Sequence, residues 1–230
     1  MREAIRVEHL KYQYPGVDNT PGVSVFEDLS LIVEEGSFVA ILGSNGCGKS
    51  TLLSILAGIQ GADGGEFLCQ EENLLRNSHR RSELVGYVPQ GTPLIEELTA
   101  WDNLSLWYSK DQLKQELKSG VLAMLGVGEF LKTPVKKMSG GMKKRLSIGC
   151  AMATHPPILL LDEPMAALDL VCKQSICQYL THHKESGGII LLTTHDAMEL
   201  ALCDCWYIIK DGCLEPFTYT GNMEELVKSL

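Results

Sequence analysis

Residues 43–51 read GSNGCGKST, and this glycine-rich segment constrains the fold more than any other part of the 230-residue chain. It fits the spacing G-x-x-x-x-G-K-[S/T]. An apolar stretch that predicts a strand precedes it, and a pattern that predicts a helix over 49–57, ended by Gly58, follows it. Glycines let such a loop curl until its backbone N–H groups point at an anion above the positive end of the helix. The segment therefore predicts a strand, loop and helix unit that binds phosphate groups.

Residue types within this loop indicate how it would bind a nucleotide. The Lys49 ammonium is expected to reach the β- and γ-phosphates, and the Ser50 hydroxyl is expected to hold Mg²⁺. The backbone N–H groups of the loop would surround the phosphate oxygens. The predicted nucleotide-binding residues of the loop are Gly43, Ser44, Asn45, Gly46, Cys47, Gly48, Lys49, Ser50 and Thr51.

Strand and helix patterns alternate along most of the chain. Short apolar runs predict strands at 85–88, 158–161, 189–192 and 206–209, and residues 29–42 predict two strands around a Glu-Glu-Gly turn. Helical patterns such as 168–183 fill the gaps, which favours a mostly parallel sheet covered on both faces. Residues 91–139 differ, because they are rich in helical patterns and contain no convincing strand.

These patterns predict an α/β fold with a mostly parallel sheet core, an N-terminal antiparallel β region and an inserted helical subdomain. We expect a single domain over residues 1–230. Its nucleotide-binding core would comprise 1–90 and 140–230, and its helical subdomain 91–139.

Two carboxylates follow the apolar run ILLL at 158–161. Asp162 would emerge at the carboxyl end of a buried strand, where ligands of open α/β sheets bind, and is predicted to hold Mg²⁺. Glu163 follows and is well placed to orient or deprotonate an attacking water. The alternative is that both residues only end a strand as a solvated turn.

Three further side chains are candidates for the same edge of the sheet. His195 follows an apolar strand and is expected to contact the γ-phosphate and help hold the attacking water. Gln90 ends the strand in VGYVPQ and is expected to touch Mg²⁺ or that water, at a hinge between two lobes. Tyr14 would either stack on adenine or belong to the core, and spacing alone does not separate these interpretations.

Composition and charge exclude several classes of protein. The net charge is -9 without a long basic block, so nucleic acid is not an expected partner. The N-terminus lacks a secretory signal pattern, and the apolar runs are shorter than the roughly 18 residues of a membrane helix, so a cytosolic chain is expected. The eight cysteines contain no CxxC pair and are expected to be small buried apolar residues, not zinc or disulfide sites.

Taken in order, these residues resemble the nucleotide-binding domain of ATP-binding cassette (ABC) proteins over essentially the whole chain. The segments that carry the resemblance are Tyr14, the Walker A loop at 43–51, Gln90, MSGGM at 138–142, Walker B at 158–163, the D-loop at 166–169 and His195. The resemblance implies the P-loop NTPase fold, and ATP hydrolysis with ATP and Mg²⁺. Met142 and Ala166 depart from the family pattern, which often has glutamine and serine at these positions.

The resemblance also implies a role for the MSGGM segment. In this family two domains pair head to tail, and each ATP lies between the Walker A loop of one and the MSGGM-type segment of the other. The residues agree, because Ser139, Gly140 and Gly141 precede an apolar spacing that predicts a helix, whose free N–H groups would form an anion site. The alternative is that the MSGGM segment is only a local turn without a role in nucleotide binding.

The implied partners are a second ABC ATPase subunit, in a homodimer or heterodimer, and a separate transmembrane permease. The chain would then be cytoplasmic and peripheral on the inner face of the cell membrane. The stretches LTAWDNL at 98–104 and SGGMKKRLSI at 139–148 look most like ATPases of ABC-2 type export systems. The alternatives are an importer ATPase and a soluble ABC ATPase of the iron-sulfur assembly type.

Overall fold

The computed structural model describes residues 3–16 and 21–230, whose strands form a six-stranded and a four-stranded sheet. The strands are β1 (Glu3–Tyr14), β2 (Val23–Glu34), β3 (Phe38–Leu42), β4 (Gly64–Cys69), β5 (Glu72–Asn73), β6 (Val85–Val88), β7 (Ile158–Asp162), β8 (Ile189–Thr193), β9 (Cys205–Lys210) and β10 (Cys213–Phe217). The α-helices are α1 (Lys49–Ala57), α2 (Ser78–Leu84), α3 (Ala100–Leu104), α4 (Lys110–Ser119), α5 (Val121–Met124), α6 (Gly140–Ala151), α7 (Leu170–Glu185), α8 (Ala197–Leu200) and α9 (Met223–Ser229).

The six-stranded sheet forms the centre of the fold, with the strand order β10-β9-β3-β8-β7-β6. Neighbouring strands from β9 to β6 are parallel, and only β10 pairs antiparallel with β9. Strands β3, β7 and β8 are buried along their whole length, as expected for parallel strands covered on both faces. The prediction of a mostly parallel core is confirmed.

The four-stranded antiparallel sheet, with the order β2-β1-β4-β5, contains the N-terminal strands. Its inward residues pack with helix α1 and one face of the central sheet in a single apolar cluster. Members of that cluster from the three layers include Val7, Phe26, Leu52, Leu53, Ile41 and Leu160. The antiparallel N-terminal region is therefore confirmed, and it supports the helix that follows the glycine-rich loop.

The helical insertion covers the other face of the central sheet. Within residues 91–139, all of which the structure describes, α3 to α5 and two short 3₁₀ helices occur, and an isolated bridge joins Thr99 to Pro134. Capping boxes start α3 at Thr99 and α4 at Ser109. The insertion shares one apolar cluster with α6 and the sheet, with members that include Leu104, Leu113, Leu122, Leu146, Leu161 and Ile190.

The cysteines divide into three groups, of which one is half-buried and comprises Cys47, Cys150 and Cys177. Cys69, Cys172 and Cys203 are buried, as expected, whereas Cys205 and Cys213 are exposed. The expectation of buried cysteines is wrong for these two, because they lie in the β9 and β10 hairpin at the edge of the central sheet. None of the helices in the described part of the chain combines the length and apolar content needed to span a bilayer.

Candidate functional site

A cleft at the carboxyl edge of the central sheet brings together most of the residues that were expected there, whereas Gly43, Ser44, Cys47 and Asp162 are not among those that line it. The residues that line it are Tyr14, Asn45, Gly46, Gly48, Lys49, Ser50, Thr51, Gln90, Glu163 and His195. They come from β1, from the glycine-rich loop with the start of α1, and from the ends of β6, β7 and β8. Parallel strands present their carboxyl ends at one edge, which explains how segments distant in sequence meet.

Two glycines show why the loop needs this residue type. Gly48 has φ 107°, and a Cβ there would lie 2.7 Å from Val25 and 2.8 Å from Phe26. Gly46 has φ 83°, and a Cβ there would meet no atom within 4 Å. The loop therefore packs closely against β2 on one side and is open on the other, where a phosphate chain can approach the backbone.

Lys49 is a buried cation held by the loop itself. Its Nζ donates to the backbone oxygens of Gly43 at 2.7 Å and Ser44 at 3.0 Å. Lys49 is also the first residue of α1, whose first turn has no acidic side chain. Its hydrogen-bond partners are neutral, so its charge remains available to a bound anion, and the helix N-terminus adds positive potential.

Thr193 of the adjacent strand β8 contacts both acidic residues at the end of β7, Asp162 through its carboxylate and Glu163 through its backbone. Asp162 is 3% exposed and accepts a hydrogen bond from Thr193 Oγ1 at 2.5 Å. The backbone N–H of Glu163 donates to the carbonyl oxygen of Thr193 at 3.1 Å. Glu163 has φ 45°, a left-handed backbone that directs its carboxylate into the cleft. Since Asp162 is buried, it does not behave as a solvated turn residue.

Gln90 connects the end of β6 to this carboxylate pair. Its Nε2 donates to Glu163 Oε2 at 2.9 Å. The amide oxygen of Gln90 remains available to a cation. Ser50 and Gln90 both line the cleft, and Asp162 directly precedes Glu163; hydroxyl, amide and carboxylate oxygens are the ligand types that Mg²⁺ prefers in nucleotide sites. The residues present therefore fit a magnesium ion bound together with phosphate.

Tyr14 and His195 lie at the mouth of the cleft. Tyr14 is 40% exposed, and its hydroxyl lies 2.8 Å from Thr51 Oγ1. Its ring meets Tyr12 edge to face, with centroids 5.1 Å apart. His195 is exposed and directly follows β8 and the buried Thr194. Exposure of both rings beside the loop favours contact with a ligand over a role in the core.

The MSGGM segment lies outside this cleft. Ser139 is the N-cap of α6, and its Oγ accepts a hydrogen bond from the backbone N–H of Met142 at 3.2 Å. Ser139 and Gly140 are exposed, whereas Gly141 is buried against Cys172. None of the three lines the cleft that contains Lys49. Within one chain, the structure does not bring them together with the glycine-rich loop.

Two residues of the site were missed by the sequence patterns. Thr193 supports the Asp162 carboxylate and the Glu163 backbone, and the register of β7 and β8 places it directly opposite Asp162. A polar residue at the end of an apolar strand, in LLTT, is the signal that could have identified it. Glu199, on α8 behind His195, is buried and accepts a hydrogen bond from Thr194 Oγ1 through Oε2.

Glu199 provides a prediction about the pH dependence of stability. Burial raises the pKa of its carboxyl from 4.5 to about 7, and Oε1 has no hydrogen-bond partner. Between pH 4.5 and 7 the folded protein retains a proton that the unfolded chain has lost, so this contribution to stability is lost as the pH rises. Glutamine stays neutral. We expect Glu199→Gln to raise the free energy of unfolding by about 1–3 kcal/mol at pH 8 and by little at pH 4.5.

Urea unfolding of both proteins at the two pH values measures this difference. Replacing an exposed carboxylate, in Glu185→Gln, provides the matched control and should change the pH dependence little. An identical fall in stability for wild-type protein and Glu199→Gln between pH 4.5 and 8 would contradict the assignment to Glu199.

The chain is similar to known proteins in both its sequence and its fold. A family model described as ABC transporter matches residues 26–166. The spermidine/putrescine import ATP-binding protein PotA of Protochlamydia amoebophila is 34% identical over 235 residues, which cover 100% of this chain and 61% of that protein. The cytochrome c biogenesis ATP-binding export protein CcmA of Escherichia coli is 34% identical over 181 residues, which cover 77% of this chain and 85% of that protein.

A solved structure matches the fold closely. The dimeric structure of a post-hydrolysis state of the ATP-binding cassette MJ0796, bound to ADP and Pi, superposes with a TM-score of 0.81 at 27% identity. The match covers 92% of this chain and 96% of that chain. The whole mixed α/β architecture is therefore shared, whereas this chain spans only about three fifths of the import relative.

Proposed function

The chain belongs to the ABC transporter family and carries its ATP-hydrolysing domain, and from this premise we propose that it drives transport through a separate membrane permease by dimerising around ATP. The observation that carries the proposal is the convergence of Lys49, Gln90, Glu163 and His195 on one cleft. The phosphate-binding and water-activating groups of a hydrolytic site thus come from one chain. The Ser139 helix N-terminus lies elsewhere on the same chain, so a second subunit is needed to complete the site.

The arrangement supports a direct hydrolytic reaction. Lys49 and the loop N–H groups bind the β- and γ-phosphates of ATP; Ser50, Asp162 and Gln90 would hold Mg²⁺, which would supply charge neutralisation when bound. Glu163 accepts a proton from the water that attacks the γ-phosphorus, and the bond to the β-γ bridging oxygen breaks to give ADP and phosphate. Gln90 fixes the Glu163 carboxylate at 2.9 Å, and Thr193 fixes its backbone. His195 contacts the γ-phosphate.

Exposed apolar side chains mark the surface proposed for the second subunit. Leu170 and Val171, which follow the D-loop at the start of α7, are each 74% exposed. Leu168 lies next to Gly140, so the D-loop and the MSGGM segment form a continuous surface. ATP bound by both subunits adds contacts that neither monomer has alone, so nucleotide favours the closed dimer and hydrolysis reopens it.

A second exposed apolar surface lies on the helical insertion, close to Gln90 in sequence. Its members are Ile95, Leu106 and Trp107, and the Trp107 side chain is 65% exposed. We propose that the permease docks on this surface, because a movement of the helical insertion would then shift Gln90 and the hydrolytic site. Docking on an integral membrane protein would hold the chain at the cytoplasmic face of the membrane.

Export is the proposed direction of transport, on the resemblance of LTAWDNL and SGGMKKRLSI to ABC-2 type systems. The relatives include both an import and an export ATP-binding protein, so the cassette itself is compatible with either direction. Identification of the permease decides between them. A six-helix membrane protein encoded beside this gene is the result expected for the export type.

Capture of partners from detergent-solubilised membranes tests the transport proposal. The tagged wild-type chain should recover an integral membrane protein, and Trp107→Asp should lower that recovery by about tenfold or more, because it removes a large apolar anchor. Val227→Asp, on α9, changes another exposed apolar residue and should leave recovery unchanged. Full recovery with Trp107→Asp would place the docking surface elsewhere. Recovery of soluble complexes alone would favour the iron-sulfur assembly type.

A further inference from the structure

Lys144 is a buried cation on α6, five residues after the N-cap Ser139. It is 5% exposed, and its Nζ donates to two consecutive backbone oxygens, that of Pro89 at 2.9 Å and that of Gln90 at 3.1 Å. Both acceptors belong to the loop that follows β6. Lysine carries three donors on a flexible stem, so one ammonium can bridge two neighbouring carbonyls.

A continuous series of hydrogen bonds leads from this lysine to the hydrolytic carboxylate. Lys144 holds the main chain of Gln90, and the side chain of Gln90 donates to Glu163 Oε2 at 2.9 Å. At about 1.5 Å per residue, Lys144 lies roughly 7.5 Å along α6 from Ser139, within the same rigid helix. The helix whose N-terminus would contact the partner's ATP is therefore joined to Gln90 inside its own subunit.

The electrostatic surroundings explain how a buried ammonium is tolerated. Burial lowers the pKa of Lys144, whereas the carboxylates of Asp162, Glu199 and Glu163 oppose that effect. Removing the positive charge would leave the Asp162 and Glu163 carboxylates without this nearby compensating cation, and the Pro89 and Gln90 carbonyls without their donor. The lysine therefore has an energetic role that a neutral side chain of similar length does not fulfil.

We propose that Lys144 is a positioning residue for ATP hydrolysis, which holds the loop after β6 so that Gln90 reaches Glu163 and which ties that contact to the N-terminus of α6. This inference rests on the proposed hydrolytic function and adds a residue to it. When a second subunit closes on Ser139, the resulting movement of α6 would be transmitted through Lys144 and Gln90 to Glu163, the carboxylate that activates water.

The first experiment compares Lys144→Met with Lys143→Met on the same helix. Lys143 is paired with Glu96 at 3.4 Å, six residues beyond Gln90 in the same loop, whereas the hydrogen bonds to the Pro89 and Gln90 carbonyls come from Lys144. We expect Lys144→Met to lower kcat by about tenfold, with KM and ATP affinity within about twofold of wild type, because positioning and not binding is lost. Lys143→Met should keep the wild-type kcat. Lys144→Arg should recover part of the activity, since its fork can also bridge two carbonyls.

The second experiment separates positioning from general destabilisation. In a Gln90→Ala background, Lys144→Met should lower kcat by less than about twofold, because the route through Gln90 is already absent. Amide hydrogen exchange at residues 89–91 of the nucleotide-free protein should be faster in Lys144→Met and unchanged in Lys143→Met. Lys144→Gln provides a smaller change for both measurements if the methionine variant does not fold.

The outcomes distinguish this inference from the function on which it rests. Wild-type protein that binds but does not hydrolyse ATP would overturn the proposed function. Wild-type hydrolysis with an unchanged kcat in Lys144→Met, or an equal loss of kcat in the presence and absence of Gln90, would overturn the positioning role alone.

Discussion

Replacing Glu163 with glutamine should lower the rate of ATP hydrolysis by about 10²- to 10⁴-fold, because an amide cannot accept the proton of the attacking water. The substitution is nearly isosteric, so the contact with Gln90 and the left-handed backbone at Glu163 can persist. ATP binding depends on Lys49 and the loop and should be unchanged. The variant should then accumulate as a dimer with ATP, because the step that reopens the dimer is blocked.

Three measurements on Glu163→Gln check this result together: phosphate release, ATP affinity and gel filtration with and without ATP. Glu185→Gln, which changes an exposed glutamate at the end of α7, is the control and should hydrolyse ATP at the wild-type rate. A Glu163→Gln protein that binds ATP but remains monomeric would contradict dimerisation around nucleotide. A wild-type rate of ATP hydrolysis in that variant would contradict a role for Glu163 in the reaction.

Replacing Gly140 with alanine should lower hydrolysis by about 10²-fold while leaving ATP binding by the monomer within about twofold of wild type. Among the residues that the structure describes, an added Cβ would meet only Leu168, at 4.0 Å, so the fold has room for it. Alanine also favours the helical conformation over glycine by about 1 kcal/mol. Any loss of activity must therefore come from a group outside the chain, and the ATP held by a partner's Lys49 is the expected one.

Gly128→Ala is the control, because among the described residues a Cβ there would meet nothing within 4 Å, and Gly128 lies within a 3₁₀ helix of the insertion. It should retain wild-type hydrolysis. Gly141 would be a poorer choice, since a Cβ at that position would lie 2.3 Å from Cys172 Sγ and disturb the fold itself. Loss of ATP binding in monomeric Gly140→Ala would contradict the assignment of this helix N-terminus to a second subunit.

The sequence patterns predicted the motif-bearing strands well, because each is a short apolar run that ends in polar residues. Strand β6 was predicted with its observed bounds, and α1 with both ends, where Gly58 forms a left-handed C-cap. Helix α7 begins two residues later than the pattern suggested, because Asp169 caps it by accepting a hydrogen bond from the Cys172 backbone.

Other features depend on contacts between distant residues. The bond from Gln90 to Glu163 joins positions 73 apart, and the bond from Lys144 to Gln90 joins positions 54 apart. The spacing of apolar residues within one helix or strand carries no information about such distant pairs. Strand β1 is long and carries register shifts against β2, so its apolar and polar residues do not alternate regularly. The sequence therefore did not predict where this strand begins and ends. Helix period alone could not show that Lys144 points into the protein.

The position of Thr193 has a consequence for how such a protein can diversify. One residue of β8 supports both the Asp162 carboxylate and the Glu163 backbone, so the pairing of two central strands sets the geometry of the chemistry. The exposed surface around Trp107 belongs to a different part of the chain and contributes nothing to that pairing. If the proposed docking at Trp107 holds, mutations there would change the docking partner without altering the strand pairing at Thr193, which agrees with relatives named for import and for export.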